Sequence, residues 1–189
     1  CNDVGGHNSA PFEIGDHAVV TTNRMDRMYE PKRLRCDMST DTMDPRCPGL
    51  HGDRQCQVFA NKQLFVAAYP TPSKKHEDID QALRNFIEDF GAPDTMTMDG
   101  AKSQTARGSA FVARLRRNKI TPIISNPYRP NMNPCETAIR ELRKKWYRAI
   151  FSANCPRALW NYGIPYFAKI MQRTATNAGG LRGNTPLGQ

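Results

Sequence analysis

Thr95-Met96-Thr97-Met98-Asp99-Gly100, residues 95–100, is the stretch on which the fold turns. Thr95–Met98 reads as a short strand, and Asp99 places a charge just where that apolar run stops. In open α/β sheets, ligands bind in the crevice outside the carboxyl ends of the strands. The stretch therefore predicts an α/β sheet whose working edge carries a carboxylate.

Upstream, Ile79, Leu83, Phe86 and Phe90 recur at helical spacing after Ser73, a residue suited to capping, and Gly91 ends the pattern. Gln55–Ala60 and Leu64–Tyr69 are β-rich runs joined by Asn61-Lys62-Gln63, which predicts a hairpin. Leu34–Met43 predicts a first strand, its apolar character interrupted by Asp37 and Asp41, and Pro45, Pro48 and Gly49 mark a long turn after it. Downstream, residues 108–118 predict a helix with Phe111, Val112 and Leu115 inward. Thr121–Ser125 predicts a strand, followed by a loop from Asn126 to Asn133. A helix from Pro134 to Ile150 sets Ile139, Leu142, Trp146 and Ile150 on one face. A last helical region from Pro156 to about Thr176 is expected to break near Gly163 and Pro165. The order β-β-β-α-β-α-β-α-α predicts a mixed α/β sheet flanked by helices. It divides the chain into a connecting segment (1–33), a core (34–150) and a C-terminal helical extension (151–189).

With 189 residues and 39% apolar side chains, the chain can build one ordinary core plus terminal segments. No run of 18 apolar residues is present, so neither a spanning helix nor a membrane partner is expected. No signal peptide is recognisable, and the six cysteines show no C-x-x-C pair, which predicts reduced thiols in an intracellular protein. The first residue is Cys1 rather than Met, which predicts a piece of a longer polyprotein. Charge is unevenly placed. Residues 1–100 hold eleven basic and sixteen acidic side chains, whereas 101–150 hold twelve basic and two acidic. Such a block predicts nucleic acid as a partner, with a solvated basic surface as the plain alternative.

Three acids fall at informative places in this order: the first strand, the end of the fourth, and the first turn of the late helix. Asp41 and Asp99 have 57 residues between them, and Asp99 and Glu136 have 36. Hard divalent cations prefer oxygen ligands. Two such ions roughly 3.5–4 Å apart can stabilise the attacking and the leaving oxygen of an in-line phosphoryl displacement. Spacing alone is a weak signal, because eighteen acids offer many triples and most acids are solvated. Glu136 follows Pro134, so its charge also suits the positive end of a helix dipole. Its helical face argues for more. Arg140, Arg143 and Tyr147 fall on the same side, and Lys144, Lys145 and Arg148 widen the basic stripe. Asp37 lies four residues before Asp41 and would share its face in a strand, and Asp44 is also near, so the residues alone leave the first acid open.

Ser39-Thr40-Asp41-Thr42-Met43, Met98-Asp99-Gly100-Ala101-Lys102 and Pro127-Tyr128-Arg129-Pro130-Asn131-Met132-Asn133-Pro134-Cys135-Glu136 appear in that order. Together they resemble the integrase core of copia-type long-terminal-repeat retrotransposons and, more distantly, retroviral integrases. Leu159-Trp160-Asn161-Tyr162-Gly163 and Gly183-Asn184-Thr185-Pro186-Leu187 are similar to segments that follow the core in that family, so the resemblance covers residues 34–189. It implies a ribonuclease-H-like (RNase H-like) fold, and an activity that trims an element's DNA ends and transfers them into target DNA. It implies Asp41, Asp99 and Glu136 as the catalytic D-D-E metal ligands, favouring Asp41 over Asp37, with two Mg2+ or Mn2+ ions as cofactors. The implied partners are DNA (element ends and target) and further copies of the chain in a homo-oligomer. The implied place of action is the nucleus.

The expected DNA contacts are Lys102 and Gln104 beside Asp99, Tyr128 and Arg129 in the loop before Glu136, and Arg140, Arg143, Lys144 and Tyr147 on the late helix. A solvated loop also accounts for Lys102 and Gln104, and a buried anchor for Tyr128. Two departures stand out. Gly100-Ala101 follows the second acid where the family often has Asn-Gly, and Pro134 follows Asn133 where it often has Asn-Gly before the Glu. Pro134 should stiffen a loop that is flexible in relatives. The rival readings are a related DDE transposase, an RNase H-type nuclease, and a catalytically inert nucleic-acid-binding remnant of a retrotransposon polyprotein. The segments around Trp160 and Thr185-Pro186 favour the retroelement, the basic late helix favours DNA joining, and the intact triad speaks against inertness.

Overall fold

The computed structural model describes residues 31–99, 110–125, 133–177 and 180–188. The chain divides after Glu30, and every described residue belongs to the unit that begins at Pro31. Five strands form one sheet: β1 (Arg33–Met43), β2 (Gln55–Ala60), β3 (Val66–Thr71), β4 (Ala92–Met98) and β5 (Thr121–Ile124), in the order β3-β2-β1-β4-β5. β2 runs antiparallel to both β1 and β3, while β4 lies parallel to β1, and β5 parallel to β4. The helices are α1 (His76–Phe90), α2 (Ala110–Arg117), α3 (Pro134–Ala153) and α4 (Trp160–Arg173). This is the mixed sheet with flanking helices that the order of sequence patterns predicts.

Alternation along the strands sorts the side chains into two apolar layers. Met38, Phe59, Met96 and Met98 pack with Ile79, Leu83 and Phe86 of α1 and Phe111 and Leu115 of α2. On the other face, Met43, Val58 and Val66 pack with Leu142, Trp146 and Ile150 of α3 and Trp160, Ile164 and Ala168 of α4. Arg114 donates from Nε and Nη2 to the two Asp80 carboxylate oxygens, each at 2.6 Å, a fork that ties α2 to α1.

β4 starts three residues before Thr95 and α3 runs three residues past Ile150, and three further differences from the sequence expectation have a visible physical reason. β3 starts two residues later than its composition suggests and runs through Pro70. It is an edge strand, where a missing N–H is tolerated. Ser73 does not cap α1, because Lys75 takes that position; the Ser73 hydroxyl donates to Asp78 and accepts the Lys75 N–H. The last helix does not break at Gly163 or Pro165. Gly163 is instead a notch for an indole ring, since a Cβ there would lie 2.2 Å from Trp146 Cζ3.

That distance decides the outcome of a substitution. Carbon atoms rest about 3.5–4.0 Å apart, and Trp146 is only 8% exposed, so the ring can give way only by leaving its packed position. Alanine gains about 1 kcal/mol of helix propensity over glycine, but overpacking costs roughly 1–3 kcal/mol. Gly163→Ala is therefore expected to lower the urea midpoint of unfolding. A midpoint at or above the parent's would show that the notch is not filled as described.

Candidate active site

Register brings the acids together. β1 and β4 pair in parallel with Thr40 beside Met98, so the next positions are Asp41 and Asp99. Neighbouring strands lie about 4.8 Å apart, and Asp41 faces α3, where it lines a cleft with Glu136. Asp41 is half-buried, and one of its carboxylate oxygens accepts the Thr42 N–H at 2.7 Å. Asp99 is exposed at the end of β4.

Glu136 sits in the first turn of α3, and the start of that helix is anchored to the sheet. Asn133 caps it by accepting the Cys135 N–H at 3.0 Å, with Pro134 in the first turn. Cys135 is fully buried, and its thiol donates to the Ser39 carbonyl at 3.0 Å and the Val58 carbonyl at 3.5 Å. The thiol therefore fixes the α3 start over β1, two residues from Asp41. The sequence reading missed this role. The available signal was position: Cys135 lies four residues before Ile139 and extends the inward stripe of α3.

Asp41 and Glu136 line one open cleft together with Arg140, Arg143, Lys144 and Tyr147. Arg143 reaches across it and donates to the Asp44 carbonyl at 2.9 Å. Lys144 donates to Glu141 at 2.8 Å. Asp37 stands apart. It accepts from Thr95 Oγ1 at 2.7 Å and lines a different groove, about 13 Å from Asp41 along the strand at ~3.3 Å per residue. Lys102, Gln104, Tyr128 and Arg129, the other expected DNA contacts, lie outside the described residues.

The architecture has counterparts among solved structures. The catalytic core domain of BIV integrase is similar with a TM-score of 0.59 and 18% sequence identity, over 82% of this chain and 93% of that one. A chain of the simian T-cell lymphotropic virus intasome, solved in complex with the PP2A regulatory subunit B56 gamma, is similar with a TM-score of 0.64 and 13% identity. That match covers 84% of this chain and 59% of the intasome chain. The fold is that of a retroviral integrase catalytic core. No family model and no curated protein matches the sequence.

Within this integrase fold the electrostatics centre on Asp41. Burial pushes its carboxyl above the ordinary carboxylate range; the Thr42 N–H lowers it, Asp99 and Glu136 raise it, and Arg143 lowers it. Asp41 is thus close enough to Asp99 and to Glu136 to feel both charges. The all-oxygen donor set suits a hard divalent cation. Among the described residues, however, no group of three or more His, Cys, Asp or Glu side chains is gathered closely enough to hold a metal ion.

The direction of the Asp41 shift gives a test of stability. The folded state binds this proton more tightly than the unfolded chain, so the group favours folding at pH below the ordinary Asp range. That contribution is lost as the pH rises through the raised value. Asp41→Asn removes a poorly solvated charge, and its carbonyl can still accept the Thr42 N–H. In EDTA at pH 7 the variant should unfold at higher urea than the parent, and the gap should shrink as the pH falls into the carboxylate range. A less stable variant at pH 7 would show that the charge is not strained.

Proposed function

We propose that this chain is the core of an integrase that uses divalent cations to trim DNA ends and join them to target DNA. The observation that carries the reading is that Asp41 and Glu136 share one cleft beside the basic face of α3, with Asp99 at the end of the neighbouring strand, at one end of an integrase-type sheet. The quoted motifs from Asp41 to Leu187 support a copia-type long-terminal-repeat element as the parent. Likeness to a chain of an intasome supports DNA as partner and a homo-oligomer as the working form.

Asp41, Asp99 and Glu136 would hold Mg2+ or Mn2+, which when bound polarises the phosphoryl group and lowers the pKa of the attacking hydroxyl. The remaining work falls to this chain's own groups. The Thr42 N–H engages one Asp41 oxygen, which leaves the other available to the cleft. The Cys135 thiol fixes the height of Glu136 above β1. Arg140 and Lys144 present positive charge to phosphates along the α3 face. The absence of a gathered metal group among the described residues favours one second reading, a DNA-binding remnant without catalysis.

A strand-transfer assay with a labelled duplex and Mn2+ separates the two. The parent and Asp37→Asn should join DNA. Glu136→Gln and Asp41→Asn should join none while binding duplex as the parent does. A folded parent that binds DNA but joins none establishes the remnant instead. Affinity should also fall linearly as salt rises on logarithmic axes, and Arg140→Ala should reduce that slope by about one. A slope unchanged by Arg140→Ala would remove that residue from the DNA face.

A further inference from the structure

We infer that a second cavity, beside the acid cleft, takes an unpaired nucleotide of the DNA strand that reaches Asp41 and Glu136. This rests on the integrase reading above. The cavity has a volume of about 330 Å3 and lies between the β1–β2 connection, α3 and the approach to α4. Arg46, Arg143 and Arg157 line it together with Trp146, Tyr147 and Phe151.

Its chemistry points to a nucleotide. No acidic residue lines the cavity, and among the described residues none of its three arginines forms an ion pair. The nearby Asp44 carboxylate accepts the backbone N–H of Arg46 at 2.8 Å. Guanidinium forks match the oxygens of a phosphate. Tyr147 and Phe151 are four residues apart on α3 and so share one face. Phe151 is 78% exposed and Tyr147 42%, which leaves two rings open to a stacking partner. A base offers its π-face to such rings only when unpaired. The volume sits at the small end of ligand pockets, about 300–1,000 Å3, and suits one nucleotide rather than a duplex.

Position ties the cavity to the acids. Met43, Arg143 and Tyr147 line both hollows, so the two adjoin. Glu136 and Tyr147 are separated by about 16 Å along the helix at ~1.5 Å per residue. At ~3.4 Å per nucleotide, that is about five nucleotides of B-form strand. A strand lying on the basic face of α3 with one end at the acids can therefore place a nearby unpaired base against Tyr147, with Phe151 on the next turn of the same face.

The test compares a blunt duplex with one carrying a short single-stranded extension that contains 2-aminopurine, whose fluorescence is quenched by stacking. The parent should quench the extension and bind the extended duplex about tenfold more tightly than the blunt one. Phe151→Ala and Arg157→Ala should each reduce that quench and that preference. Both variants should keep the parent's urea midpoint and its blunt-duplex affinity. Equal affinity for both duplexes, or a quench that survives in the Phe151→Ala, Arg157→Ala double variant, overturns the cavity assignment and leaves DNA joining standing. Displacement of the extension by equimolar free deoxyadenosine monophosphate overturns the strand-borne ligand in favour of a free nucleotide. Failure to bind either duplex overturns the integrase reading together with it.

Discussion

Pairing β1 with β4 in parallel obliges the chain to leave the hairpin, cross the sheet as α1 and re-enter at the same end. That crossover brings together the carboxyl ends of two strands that lie far apart in the chain. With Thr40 held beside Met98, the next pair is Asp41 and Asp99. A slip of one residue would turn a carboxylate into an apolar layer, which is why burial enforces the register so strongly. Met38, Met96 and Met98, each no more than 1% exposed, supply that enforcement from beneath. The placement of Asp41 beside Asp99 is thus a consequence of methionine packing within the sheet's apolar layer.

The third acid depends on where α3 is held, and α3 is held at two places. Near its start, the Cys135 thiol reaches the Ser39 and Val58 carbonyls. Burial, reinforced by the Asp41 charge, keeps that thiol protonated and therefore able to donate. A thiolate there would be buried beside the Asp41 charge, a cost that the Ala60 and Asp41 N–H groups only partly offset. Further along, Trp146 sits in the notch left by Gly163, and Trp160 Nε1 donates to the Cys47 carbonyl at 3.0 Å, pinning α4 to the turn that follows β1. The run from Leu159 to Gly163 therefore acts structurally, through its indole and its missing side chain.

Much of this was legible in the sequence, for identifiable reasons. The periods of Ile79-Leu83-Phe86 and Ile139-Leu142-Trp146 mark helices because their burial is one-sided, and a charge after Met98 marks a strand end. Gly163 and Pro165 misled because propensity is local, whereas the reason for Gly163 is a ring seventeen residues earlier in the chain. The choice between Asp37 and Asp41 was invisible to alternation, since both positions share a face. Their surroundings differ: Thr95 lies beside Asp37, and the end of β4 beside Asp41. Cys135 escaped notice because a cysteine outside a ligand pattern reads as filler until the carbonyls it faces are known.

Charge placement completes the argument. Acids and arginines share one cleft, so pairing them would be the easiest route to a stable, neutral surface. The structure takes another course. Arg143 donates to a backbone carbonyl, and among the described residues neither Arg140 nor Arg143 forms an ion pair. Asp41 is left with a burial penalty that Arg143 only partly offsets. An ion-paired cleft would have to break its own pairs before it could receive a cation or a phosphate, and each broken pair would strand a charge. Keeping Arg140 and Arg143 out of ion pairs beside Asp41 and Glu136, while Lys144 pairs with Glu141, preserves guanidinium charge for ligands, the usual exchange at a site held away from its own stability optimum.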